Sequence, residues 1–327
     1  MIDLSRKTVL VTGGTGSFGK RVAVTLLREG AHVVVFSRCE LKQSQMRARY
    51  PDIQYVIGDV RDEQAVDSVM RGIDYVFHAA ALKQVPTLES YPLEAIKTNV
   101  LGSANVFRAA AEHEVDTVVA LSTDKAVNPC NVLGMTKALM ERLAMENITS
   151  LLSATRFRVV RYGNVLGSRG SVVPIFQEQI AAGGPVTITD PEMTRFLLTL
   201  DDAVDLVQAA LSDEGYEEAL WIKKAPACTV QILADACIKR YGNGKVIEQR
   251  VVGVRPGEKK HETLVGSHEM GRAEDVGDYF VVRSAPSDEI VTPVHHPYTS
   301  DSTRQMTDVN EVVGLIKRAE AATGEER

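Results

Sequence analysis

Residues 8–30, TVLVTGGTGSFGKRVAVTLLREG, decide the fold. Thr8–Val11 is a branched apolar run of strand length, and it passes through Thr12 into a turn with glycines at 13, 16 and 19. An amphipathic helix then runs through Arg28. Glycines at this spacing allow a tight turn, let a pyrophosphate approach backbone N–H groups, and let the helix pack close to the strand. The pattern predicts a dinucleotide on the helix N-terminus, with Gly13, Thr15, Gly16, Ser17, Phe18 and Gly19 as contacts. The expected fold class is α/β, a Rossmann-type doubly wound parallel sheet.

Outward from this stretch, Gly30 ends the helix and His32–Phe36 forms a second strand, whose end lies beside the adenosine ribose in such a fold. A carboxylate there suits the 2′-hydroxyl of NAD. This chain has Ser37 and Arg38, with Lys42 one helical turn on. A guanidinium suits a 2′-phosphate by charge and by its forked geometry, so NADP is expected, with NAD as the alternative. The third strand, Tyr55–Val60, brings Asp59 towards the adenine amino group, with Val60 next to it. The fourth, Ile73–His78, runs into Ala79, Ala80, Ala81, Leu82 and Lys83. Small residues let the backbone pass close to a cofactor, and Lys83 adds positive charge. His78 is read as a satisfied buried histidine without chemistry. A helical segment with Asn99, a further candidate cofactor contact, comes next, and then a helix over Asn105–Glu112.

The chemistry is expected in residues 118–137, VVALSTDKAVNPCNVLGMTK. A short buried parallel strand empties into Ser122, Thr123, Asp124 and Lys125, delivering a hydroxyl, a carboxylate and an amine to the strand end where ligands sit. Asn128-Pro129 breaks the chain, and a helix opens around Gly134. Lys137 falls in its first turn, where a cation opposes the macrodipole and needs a reason.

A sixth strand, Phe157–Arg161, leads to Tyr162–Gly167, after which glycines and prolines interrupt the alternation: Gly170, Pro174, Gly183-Gly184-Pro185 and Pro191. The expected organisation is a dinucleotide-binding domain over 1–167, to which part of 197–225 returns, and a substrate-binding lobe made mainly of 168–327. Within the lobe, Pro185–Thr189 reads as a strand, and 201–211, 231–240 and 309–322 as helices. Residues 265–300 read as loops and short strands.

The chain has 327 residues, 44% apolar and 24% charged, with a net charge of −6, the balance of an ordinary globular protein and not of a nucleic-acid binder. Four dispersed cysteines read as free thiols of a reducing compartment. No apolar run reaches the ~18 residues of a membrane helix and no signal-peptide pattern opens the chain, so a cytoplasmic protein without membrane attachment is expected. No metal site is expected.

TGGTGSFG, HAAALKQVP, STDKAV with its later lysine, and RYGNVLGSRGSV resemble the extended branch of the short-chain dehydrogenase/reductase superfamily. With GGPVTITDPEMTRF and RPGEKKHE added, the chain is similar to the UDP-N-acetylglucosamine 4,6-dehydratases, over about residues 5–305. The resemblance implies a homo-oligomer, dimer or hexamer, with a tightly held NADP(H) and a UDP-amino sugar substrate. In that chemistry, oxidation at C4 acidifies the C5 proton, a base removes it, an acid assists departure of the C6 hydroxyl, and the reducing equivalents return to C6. Asp124 matches the acid, Lys125 the base, Thr123 the hydroxyl on the C4 oxygen, and Lys137 the lysine at the nicotinamide ribose. Leu133 stands where the superfamily usually has tyrosine. Asp124 is therefore expected to exchange the C4 hydroxyl proton as well. Candidate substrate contacts are Lys83, Asn164, Val173, Thr187, Arg195 and Arg255, with Glu258 for the uridine ribose. The short form leans towards inversion at C5. The alternatives are a UDP-sugar 4-epimerase or 4-reductase of the same superfamily, or a non-catalytic NADP-binding protein.

Overall fold

The structure, a computed structural model, describes residues 2–145, 154–168, 170–216, 218–284 and 296–324. The chain divides into two compact units. The first comprises the chain up to Arg161, Val204–Ile222 and a hairpin of Ala273–Val276 and Tyr279–Arg283. The second comprises Tyr162–Ala203, Lys223–Gly271 and the described C-terminal segment from His296. The hairpin is thus part of the first unit, whereas the sequence reading placed it with the lobe. Residues 285–295 of that reading, and Arg169, lie outside the described residues.

The first unit is built on β1 (Thr8–Thr12), β2 (His32–Ser37), β3 (Gln54–Ile57), β4 (Tyr75–His78), β5 (Thr117–Leu121) and β6 (Arg156–Arg161). They lie in the order β3-β2-β1-β4-β5-β6, all parallel. β4 and β5 are buried throughout, β1 nearly so, which is why they read as unbroken apolar runs instead of alternating ones. β3, at the edge, is half exposed. The chain winds out from β1 to β3 and then starts again at β4 on the other side. The order therefore reverses between β1 and β4, and a ligand crevice opens beyond their carboxyl ends.

Ala219–Lys223 continues the sheet parallel to β6, followed by the antiparallel hairpin. β6 also carries a fully buried arginine. The Arg158 guanidinium donates to the carbonyls of Ala210, Leu211, Asp213 and Tyr216, at and beyond the C-terminal end of the helix Leu200–Ser212. A cation satisfies orphan carbonyls at the negative end of a helix dipole, although burial lowers its pKa to about 10.

Among the described residues, the second unit holds three small sheets. The largest has Thr194–Leu198 between Ala227–Thr229 and Asn164–Val165. Its core is formed by Val172–Ala181, Val230–Tyr241 and Val309–Gly324 packing Phe176, Leu233, Cys237, Val312 and Leu315. Val172–Ala181 is a helix where the sequence reading saw only interruption. Pro174 sits in its first turn, where a missing N–H breaks no intrahelical bond. Among the described residues no helix is long and apolar enough to cross a membrane.

Candidate active site

The glycine turn and the loop after β4 meet at the switch point. Gly13 has φ 66°, and a Cβ on it would lie 2.8 Å from Ala80 Cα and N, so the two backbones touch. The following helix, α1 (Ser17–Arg28), is capped by Gly16, which has no side chain to satisfy the first N–H groups. Gly16 is exposed, and Ser17 and Phe18 half-buried, so those donors face an opening that suits a pyrophosphate. Thr15 and Gly19 are buried in the turn. The residues present fit a dinucleotide.

At the end of β2, the buried Ser37 accepts from Gln43 Nε2 at 3.0 Å, and the same amide donates to Ser37 O and Val56 O. Gln43 was not foreseen; it is the clasp that holds β2 to β3. Arg38 and Lys42 are exposed. Arg38 Nη1 reaches Asp59 Oδ2 at 3.5 Å, but Asp59's main partner is Arg61, whose Nε and Nη2 lie 2.9 and 2.7 Å away. Burial raises the Asp59 pKa, and the Arg61 hydrogen bonds with both guanidinium charges outweigh it, leaving the carboxyl below its ordinary value. Val60 is buried, and its carbonyl accepts from Asn105 Nδ2 at 3.0 Å.

The loop after β4 is held from beneath. Ser103 Oγ donates to Asn99 O, which leaves it to accept from His78 Nε2, and His78 Nδ1 then accepts from Thr12 Oγ1. Thr12 Oγ1 in turn accepts from Ala80 N at 3.3 Å. His78 is neutral, its pKa lowered to about 3 by burial and by the charge of Lys137. Asn99 is fully buried: Oδ1 accepts from Leu82 N at 2.8 Å, and Nδ2 donates to Leu82 O and Thr136 Oγ1. Its side chain is turned to the protein and holds the loop after β4 at Leu82. Ala79, Ala80 and Ala81 are half-buried and Lys83 is exposed.

Thr123, Asp124 and Lys125 stand at the tip of β5. Thr123 caps the single turn Asp124–Ala126. Thr123 Oγ1 donates to Asp124 Oδ1 at 2.8 Å, and Lys125 Nζ donates to the same oxygen at 3.0 Å. The Asp124 side chain is 1% exposed and that of Lys125 23%. Asp124 Oδ2 is buried without a hydrogen-bond partner. Lys137, on the helix Val132–Met145, is buried and donates to Leu121 O, the last carbonyl of β5, at 2.7 Å. Burial lowers its pKa to about 8, partly opposed by Glu141 one turn along. Glu141 is itself buried between Ser122 Oγ and Arg161, whose Nε and Nη2 lie 2.9 and 2.6 Å from its oxygens. This Ser122–Glu141–Arg161 set was missed by the sequence reading; the i, i+4 spacing of Lys137 and Glu141 was the available signal.

Leu133 is 6% exposed and packs with Leu88 and Ala95, with Leu82, Val85 and Val132 around them. The position of the usual tyrosine is a core position here. Gly134 comes next, and a Cβ on it would lie 2.1 Å from Lys125 O, so its lack of a side chain lets the helix lie against the strand-tip turn.

The second unit carries the remaining candidates. Asn164 Oδ1 is buried without a partner. Val173 is 4% exposed within the apolar core, so its side chain is not turned to a ligand. Thr187 is clasped by Gln179, which accepts from Thr187 N and donates to Thr187 Oγ1. Arg195 Nη1 donates to Thr194 O at 2.8 Å, and its Nε lies 3.9 Å from Glu262. Arg255 is exposed and Glu258 half-buried, at the two ends of a turn whose Gly257 has φ 81°.

A glycine turn at the switch point, and a strand tip presenting Thr-Asp-Lys above a buried lysine, define a nucleotide-sugar-modifying enzyme of the extended short-chain dehydrogenase/reductase superfamily. More narrowly, the chain belongs to the family described as polysaccharide biosynthesis protein, whose model matches residues 9–284. It is 49% identical over 282 residues to a UDP-glucose 4-epimerase of Rickettsia bellii (strain RML369-C), covering 84% of this chain and 82% of that one. It is 45% identical to a UDP-glucose 4-epimerase of Rickettsia canadensis (strain McKiel), with 95% of each covered. Among solved structures, Pen from Bacillus thuringiensis superimposes with a TM-score of 0.89 at 36% identity, covering 97% of this chain and 99% of that one. The UDP-glucose 4-epimerase of Thermus thermophilus in complex with NAD shares the fold, with a TM-score of 0.68 at 24% identity over 77% of this chain and 88% of that one.

Proposed function

We propose that the protein is a UDP-N-acetylglucosamine 4,6-dehydratase that uses NADP. The observation that carries this reading is the contact between Asp124 and Lys125, a carboxylate and an amine sharing one hydrogen bond of 3.0 Å at a strand tip. In the proposed cycle Lys125 enters as the neutral amine and Asp124 as the carboxylate; the C4 hydroxyl proton converts Asp124 to the acid while Lys125 remains the base, the pair that elimination requires. When bound, the nicotinamide supplies reversible oxidation at the sugar C4. Asp124 Oδ2, without a partner, is the proposed acceptor of the C4 hydroxyl proton and its later donor to the C6 hydroxyl. Thr123 orients Asp124 and the C4 oxygen, Lys125 removes the C5 proton, and Lys137 holds the nicotinamide ribose. Leu133, packed in the core, takes no part in proton transfer. Arg38 and Lys42 support a 2′-phosphate, and Asn164, Arg195 and Arg255 are proposed for the UDP diphosphate, with Glu258 for the ribose.

The names of the Rickettsia relatives favour a second reading, a UDP-sugar 4-epimerase. Epimerisation needs one group to exchange a proton with the C4 hydroxyl, and Asp124 alone serves that; it leaves Lys125 without a task. The two readings separate on incubation with UDP-N-acetylglucosamine and UDP-glucose in deuterated water. Dehydration gives a 4-keto product lighter by one water, with deuterium at C5. A C4 epimer of unchanged mass without C5 deuterium refutes it. A homo-oligomer, dimer or hexamer, belongs to the same proposal and is read by light scattering.

A further inference from the structure

We infer that Arg61 sets the preference for a 2′-phosphorylated dinucleotide by holding the Asp59 carboxylate off Arg38. The inference rests on the NADP reading above and names the residue that makes it work. A carboxylate and a phosphate compete for the same guanidinium fork, so an aspartate next to Arg38 is a rival of any 2′-phosphate. Asp59 is that rival, and it is already taken. Arg61 gives it Nε at 2.9 Å, Nη2 at 2.7 Å and its own backbone N at 3.0 Å, while Arg38 reaches it only at 3.5 Å.

Arg61 is itself fixed from the far side. Its Nη1 donates to Glu94 Oε2 at 2.9 Å, and Glu94 Oε1 accepts from Lys97 at 2.9 Å. The charges alternate along this row as Arg38, Asp59, Arg61, Glu94 and Lys97. Each carboxylate is thus neutralised by a cation other than Arg38. The Arg38 side chain, 50% exposed and touching Asp59 only through Nη1 at 3.5 Å, keeps the rest of its fork for an anion from solution. Without Arg61, Asp59 would turn to Arg38, and the β2–β3 end would present a carboxylate beside a neutralised guanidinium. That arrangement suits a ribose 2′-hydroxyl and not a 2′-phosphate.

Calorimetric titration of the full chain, stripped of dinucleotide, with adenosine 2′,5′-bisphosphate and with 5′-AMP tests this without any turnover. The wild type should bind the bisphosphate more tightly. Arg61→Met should narrow that ratio about tenfold, the scale of one charge-assisted hydrogen bond, mostly through weaker bisphosphate binding. Arg61→Lys, which keeps the charge and loses the fork, should fall between. In an Asp59→Asn background, where the rival is gone, Arg61→Met should leave the ratio nearly unchanged. A wild type that prefers the bisphosphate, with a ratio unmoved by Arg61→Met, overturns the role of Arg61 and leaves the NADP reading standing. A wild type without any preference overturns both.

Discussion

Replacing Gly134 by alanine should disable the site while adding only one methyl group. The new Cβ would lie 2.1 Å from Lys125 O and 3.0 Å from Lys125 C and Pro129 Cβ. Two of those three atoms are backbone, so the clash cannot be relieved by a rotamer change. Restoring ordinary contact at 3.4 Å from the present 2.1 Å requires the Asp124–Ala126 turn and the helix Val132–Met145 to separate by at least about 1.3 Å. Such a shift moves Lys125 and its partner Asp124 away from Lys137, and a misplacement of that size costs about a hundredfold in rate. The stability balance is smaller: overpacking costs roughly 1–3 kcal/mol, against about 1 kcal/mol gained from alanine in a helix. The expected result is a folded, dinucleotide-binding protein with kcat down about a hundredfold on UDP-N-acetylglucosamine. Gly314→Ala is the matched comparison. It lies in the helix Val309–Gly324, a Cβ there meets nothing within 4 Å, and it should gain stability by roughly 0.5–1 kcal/mol with the rate unchanged. If Gly134→Ala turned over within threefold of wild type, the strand tip and the lysine helix would not be coupled through that contact and the reasoning would fail.

Three further outcomes follow from the buried groups. With Lys137 titrating near 8, turnover that needs its cation should decline as pH rises through 8. Because Glu141 stabilises that cation, Glu141→Gln should move the alkaline limb to lower pH, in addition to destabilising the chain by removing the carboxylate that Arg161 grips. A pH–rate profile in which the limb stays put argues against Lys137 as its source. His78 has its pKa lowered from 6.5 to about 3 in the fold, so above pH 6.5 it is neutral in both states and does not affect stability. Below 6.5 only the unfolded chain takes the proton, and the unfolding free energy should fall by about 1.4 kcal/mol per pH unit from this residue. Urea unfolding at several pH values, compared with His78→Gln, isolates the slope; parallel losses in both proteins contradict it. Leu133→Met should retain kcat at a cost under about 1.5 kcal/mol, whereas Leu133→Ala should lose about 2–5 kcal/mol to a cavity. A collapse of turnover in a stable Leu133→Met protein would place Leu133 against the reacting sugar.

The parallel sheet was legible because its signals are local. Val9–Val11, Val33–Phe36 and Val118–Leu121 are buried on both faces and so appear as continuous apolar runs, and the glycine turn has one physical use after a first strand. The placement of Thr123, Asp124 and Lys125 together at a strand end was legible as well, since three adjacent polar residues need no tertiary information to be brought together. What escaped depends on contacts distant in sequence. Arg158 finds its carbonyls more than fifty residues away, and Ala219–Lys223 needs β6 beside it to be a strand. The helix Val172–Ala181 was hidden by Pro174, which marks a break in mid-helix but is harmless in a first turn. Arg61 was overlooked because an arginine two residues after an aspartate looks like solvated charge until the fold brings Arg38 to the same carboxylate.

The buried polar groups around β5 also explain how a site can dispense with tyrosine. A tyrosine four residues before Lys137 would depend on that lysine's charge to become a base. In the proposed mechanism the proton-accepting atom, Asp124 Oδ2, sits on the strand tip itself, and the helix position is taken up by packing. Lys137 then has one hydrogen bond to β5 and a charge tuned by Glu141, while Arg161 and Ser122 hold the Glu141 carboxylate in place. Lys137 and Glu141 thus act together, and the proposed role of Asp124 at the tip of the same strand requires that it be coupled to them. A double-mutant cycle between Asp124→Asn and Glu141→Gln, read on nicotinamide reduction in a single turnover, should show a coupling of at least about 0.5 kcal/mol. Strict additivity would mean that the strand tip works without the buried network and that Glu141 serves the fold alone.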